Sequence, residues 1–128
     1  MCADFTACPD PLARAPRAGG RASVLIAPPS LQGALSAVVW RDTAGLALNA
    51  AQKLNHFPAT PLVCLSWFQG MDIGLIESSE GGASRWRPLD AALTWSGSQS
   101  HPLLSWSPSV GRAGMACFPV DVAHALFG

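Results

Sequence analysis

Metal or acid–base chemistry in a chain of this size would have to come from its three histidines, His56, His101 and His124. A cupin-type metal site needs two histidines on one strand, two residues apart, with a carboxylate and a third histidine to complete it. Here each histidine stands alone. His56 precedes an extended Phe-Pro, His101 follows a serine-rich turn, and His124 falls in the last predicted helix. Serine, histidine and aspartate are all present, but no G-x-S-x-G nucleophile elbow accompanies them. Gly97-Ser98-Gln99 is a turn, and Gly19-Gly20 and Gly81-Gly82 are too short to cradle a phosphate. Glu77 and Glu80 edge a Ser/Gly loop and read as solvated carboxylates. The expectation is a protein that is not an enzyme, with no catalytic residue, no metal and no cofactor.

Of the four cysteines, Cys2, Cys8, Cys64 and Cys117, no two have CxxC spacing. Cys64 and Cys117 lie within apolar, strand-like runs, which favours buried structural thiols over redox sensing. The opening residues lack the apolar stretch of a secretory leader, and no apolar run is long enough to cross a bilayer. A soluble, cytoplasmic protein with reduced thiols and no membrane partner is expected.

The constellation that stands out is aromatic: five tryptophans and no tyrosine. Trp67, Trp95 and Trp106 fall on three predicted strands. Such bulky side chains either line a cavity or fill a core, and the indole N–H needs a partner in both cases. Alternation with Leu93 and Leu104 directs Trp95 and Trp106 inward, and Trp67 sits on a strand apolar on both faces. Trp67, Trp95 and Trp106, with Gln99 as an orienting hydrogen-bond donor, are therefore the candidate ligand-binding residues. Their ligand would be a small, partly apolar or aromatic effector. Ala113, Met115 and Cys117, on one face of a neighbouring strand, are candidate fillers. Trp86, between Arg85 and Arg87, reads as a surface stacking residue in a loop.

These residues must be held by a mostly β framework. Residues 1–22, rich in Ala, Pro, Arg and Gly, read as a flexible tail, and residues 23–128 as one compact domain. A short strand at 23–27 is closed by Pro28-Pro29, after which Ser30 caps a predicted helix over 31–40. Residues 62–69 form a strand that turns at Gly70 into a second strand at 71–77, predicting a hairpin. Residues 78–85 read as a loop. Strands follow at 93–97, 103–107 and 112–118, and Pro119 opens a helix. The fold class is α+β: an antiparallel, barrel-like β-sheet with one or two flanking helices.

Composition limits the partners. Eight basic and eight acidic residues cancel, so the basic excess of an autonomous nucleic-acid binder is missing. Only 12% of residues are charged, which leaves apolar surface for an oligomer, with a homodimer expected, or for a missing partner domain.

The sequence also resembles a known family. Pro28-Pro29-Ser30-Leu31, Phe57-Pro58, Trp67-Phe68-Gln69-Gly70, Gly97-Ser98-Gln99-Ser100-His101-Pro102, Phe118-Pro119 and Leu126-Phe127-Gly128 occur in an order similar to that of N-terminal sensing domains of AraC-type bacterial transcriptional regulators. The resemblance spans residues 23–128. It implies a β-rich domain that binds an effector or dimerises to control an attached helix-turn-helix domain. DNA would then be contacted only through a C-terminal domain outside this chain. The alternative is a stand-alone cupin-like binding protein or enzyme.

Overall fold

The computed structural model describes residues 21–78 and 81–128. Most of the tail expected at residues 1–22 lies outside that range, as do Cys2, Cys8 and Glu80. Nine strands run in chain order: β1 (Arg21–Ile26), β2 (Ala37–Asp42), β3 (Leu54–Phe57), β4 (Val63–Gln69), β5 (Ile73–Ser78), β6 (Ser84–Leu89), β7 (Leu93–Ser96), β8 (Leu103–Trp106) and β9 (Arg112–Phe118). One α-helix, α1 (Val120–Phe127), closes the chain. All strand pairs are antiparallel, in a five-stranded sheet of order β1-β2-β9-β4-β7 and a four-stranded sheet of order β3-β8-β5-β6.

Two sequence expectations are corrected. Residues 31–40 do not form a helix. The backbone makes one turn, closed by Leu31 N–H to the Pro28 carbonyl (2.8 Å) and Leu35 N–H to the Leu31 carbonyl (2.8 Å). It then joins the sheet through Ser36 N–H to the Cys117 carbonyl. The β-branched and aromatic run Val38-Val39-Trp40 suits a pleated sheet better than a helix, and β9 supplies a full ladder for it. The apolar spacing of Leu31 and Leu35 thus covers a turn.

The second correction concerns Gly70. Its φ of 68° makes a turn, but β4 and β5 are not a hairpin. Both edges of β4 are taken by β9 and β7, and both edges of β5 by β6 and β8. The chain therefore crosses from one sheet to the other here. The hairpin partner of β5 is β6, on residues read as loop and surface from sequence.

Side-chain alternation gives each sheet two faces. On the outer face of the four-stranded sheet, Leu54, Ile76 and Trp106 form a buried cluster with Trp86 and Leu104 packed against it. On the outer face of the five-stranded sheet, α1 buries Ala123 and brings Phe127 to 4.7 Å, edge-on, from Trp95. Asp121 occupies the first helical turn, where the helix dipole favours an acid.

Candidate functional site

Between the two sheets lies a cavity of about 570 Å³, within the size range of small-molecule sites. Its walls follow from the registers. On the five-stranded sheet, the ladder Val39–Met115–Ser66–Thr94 crosses β2, β9, β4 and β7, and all four residues border the cavity. The next inward row carries Cys117, Cys64 and Ser96, and the row on the other side carries Arg41, Ala113 and Phe68. The facing sheet contributes Asn55 and Phe57 from β3, Leu103 and Ser105 from β8, and Ile73 and Leu75 from β5. Alternation alone determines this set: the odd-numbered residues of β2, β9, β3, β8 and β5, and the even-numbered ones of β4 and β7.

The sheets are tied together at one end of the cavity. Arg41 on β2 donates from Nη1 to Asn55 Oδ1 on β3 (2.9 Å) and from Nη2 to the Gln52 carbonyl (3.2 Å). Asn55 Nδ2 reaches Ser105 Oγ at 3.5 Å. Lys53 also borders the cavity, its Nζ donating to the Pro108 carbonyl at 2.9 Å. Near the other end, Thr60 and Gln99 pair through two backbone hydrogen bonds of 3.0 and 2.8 Å, linking the connections after β3 and β7.

The thiols of Cys64 and Cys117 face each other across the β4–β9 ladder, Sγ to Sγ 3.5 Å, in the cavity wall. Both are free and buried. Burial, and then the neighbouring Cys117 sulfur, push the Cys64 thiol up to about 12, so the Cys64 sulfur carries its proton at neutral pH. The expectation of buried structural thiols describes their setting.

Trp67, Trp95 and Trp106 are not brought together. Trp67 and Trp95 are on the five-stranded sheet and Trp106 on the other. Trp95 and Gln99 border the cavity; Trp67 and Trp106 are absent from its wall. Trp95 is 45% exposed and packs against Phe118 and Phe127. Trp67 lies over Gly114 of β9. Trp106, only 4% exposed, donates from Nε1 to the Ala50 carbonyl (2.9 Å) and meets Trp86 edge-on at 5.7 Å. The inward direction expected of both Trp95 and Trp106 does not hold for Trp95, which is exposed on the outer face. Trp106 is buried, but its shielded side is also the outer face, roofed by the segment carrying Ala50 and Lys53. Of the candidate fillers, Ala113, Met115 and Cys117 do share one face, and that face is the cavity wall.

Sequence reasoning missed Val39, Arg41, Ser66 and Asn55. The signal for the first two was the alternation Val39-Trp40-Arg41, legible once residues 37–42 are read as a strand. Among the described residues, no three His, Cys, Asp or Glu side chains come together as a metal site would require. No helix among them is long and apolar enough to cross a membrane. Compared with known protein families, curated proteins and solved structures, the chain matches none.

Proposed function

We propose that this chain is a small-molecule-sensing domain whose effector occupies the cavity between the two sheets. The observation that carries the reading is the cavity itself: about 570 Å³, bordered by both sheets, its surface mostly apolar with polar groups such as Ser66, Thr94 and Gln99 set into it. That is the composition of a site that takes a partly apolar molecule and orients it. The two sheets act together as an incompletely closed barrel around the ligand. Trp95 and Gln99 are contacts at one end, while Trp67 and Trp106 hold the walls from outside.

The resemblance to AraC-type sensing domains supplies the rest of the proposal. Effector occupancy is passed to an attached helix-turn-helix domain, which reads DNA, and the sensing domains pair as a homodimer. The edge strand β1 supports that pairing. Val24 and Ile26, 66% and 77% exposed, leave an apolar sheet edge uncovered by the described residues.

The test is saturable binding of 1-aminoanthracene, a neutral fluorophore that brightens in apolar cavities. Met115 sits mid-wall on β9, so Met115→Trp narrows the space. The reading expects one probe per chain in the wild type and markedly weaker binding in the folded Met115→Trp variant. Absence of saturable binding, or binding that Met115→Trp leaves unchanged, contradicts it.

A further inference from the structure

The cavity carries a charge that its own wall does not balance. Arg41 follows the inward parity of Val39, so its guanidinium enters between the sheets at one end of the cavity. It is half-buried and held by two neutral acceptors, Asn55 Oδ1 and the Gln52 carbonyl. These orient the group and leave its charge in place. A guanidinium has five N–H donors, so the two bonds also leave donors over. Lys53 adds a second cation to the same wall, its ammonium donating to a carbonyl oxygen, that of Pro108, and lying 5.9 Å from the Trp106 ring centre.

The described carboxylates are elsewhere. Asp42 pairs with Arg112 at 3.1 Å and Glu77 with Arg87 at 2.6 Å. None of the described residues bordering the cavity is acidic. A cation beside an apolar cavity is costly unless an anion comes to it, and a guanidinium meets a carboxylate with two parallel, charge-assisted hydrogen bonds.

We infer that the effector is an organic carboxylate with an apolar body, its head group against Arg41 and its body running toward Cys64 and Cys117. This rests on the cavity being the ligand site. The register sets the body's length. Arg41 pairs with Ala113, and Ala37, four residues away on β2, pairs with Cys117. Four strand residues span about 13 Å, a distance bordered by Val39, Met115, Phe57 and Leu103. A medium-chain carboxylate fills it. A polyphosphate does not suit it, because beyond these two cations the described wall residues carry no charge to pair with further anionic groups.

Calorimetric titration of the wild-type chain with decanoate and with decanol decides the matter, since the two share a body and differ in the head. Decanoate is expected to bind about tenfold or more tightly than decanol, with added salt weakening only decanoate. Arg41→Met, which keeps an apolar stem, should bring decanoate down to the level of decanol and leave decanol unchanged. Should Arg41→Met not fold, Arg41→Lys keeps a charge and should retain a preference for decanoate. Equal binding of the two amphiphiles by the wild type overturns the inference, as does a folded Arg41→Met that keeps the preference. Binding of 1-aminoanthracene without decanoate overturns the carboxylate and leaves the cavity reading standing. Failure of all three probes overturns both.

Discussion

The indole of Trp67 lies across Gly114 on the neighbouring strand, occupying the space that a Cβ at that position would need. The two are register partners, and Trp40 is the partner of Gly114 on its other side. Only a residue without a side chain lets an indole fold flat there. The other sheet repeats the device, with Trp86 lying over Gly74 and donating from Nε1 to the Trp106 carbonyl at 3.0 Å.

Gly114→Ala is therefore expected to destabilise the fold by about 1–3 kcal/mol through overpacking. A urea melt would show the midpoint falling. Combining it with Trp67→Leu should recover part of the loss, because the smaller side chain vacates the contested space. Additive losses in the double variant would mean that the contact is not what excludes a methyl group.

Much of this architecture was legible in the sequence, for identifiable reasons. β4, β7, β8, β9 and α1 follow from alternation, proline placement and the apolar run around Trp67. Residues 31–40 misled because Leu31 and Leu35 have helical spacing, while the evidence for a strand, β9's open edge, is not local. β6 was hidden by Arg85, Arg87 and Pro88, polar or strand-averse residues that an exposed edge strand tolerates. Trp67, Trp95 and Trp106 fall on strands as expected, but they were expected to share one ligand site, and the strand positions of Trp40 and Trp86 were missed. Which face they load depends on what covers the outer surface, and no residue spacing encodes that.

Cys64 and Cys117 should be inert in the native protein. Both thiols are buried, and with Cys64 pushed up to about 12 little thiolate forms there at pH 8, so iodoacetamide should label the pair only after denaturation. The same shift links stability to pH. Above about pH 9 the unfolded thiol ionises while the folded one stays protonated, so stability should decline from there toward pH 12. Cys64→Ser should flatten that alkaline slope; a slope unchanged by the substitution would place its origin elsewhere.

Thr43 and Gly111 share a buried reciprocal bond. Thr43 Oγ1 donates to the Gly111 carbonyl at 3.0 Å and accepts the Gly111 N–H at 3.1 Å. Thr43→Val keeps the shape and leaves that N–H unpaired, at a cost of about 1–3 kcal/mol. Thr43→Ser should cost less. Hydrogen exchange at the Gly111 amide is the readout, fast in the valine variant and slow in the wild type and the serine variant.

Pairing through the β1 edge predicts a concentration-dependent dimer. Sedimentation equilibrium should detect it in the wild type, and Val24→Lys with Ile26→Lys should shift it to monomer without loss of the circular dichroism spectrum. A wild-type chain that stays monomeric at high micromolar concentration would remove β1 as an interface.

The central claim is that a ligand sits between the sheets and not among the tryptophans. Chemical-shift mapping during a titration with 1-aminoanthracene separates the two, because the indole N–H groups of Trp86 and Trp106 are held by backbone carbonyls on the outer face. The Met115 methyl and the Ser66 and Val39 amides should shift and saturate together, while the Trp86 and Trp106 indole resonances stay in place. Indole shifts at Trp67 and Trp106 with a silent Met115 methyl would contradict the account.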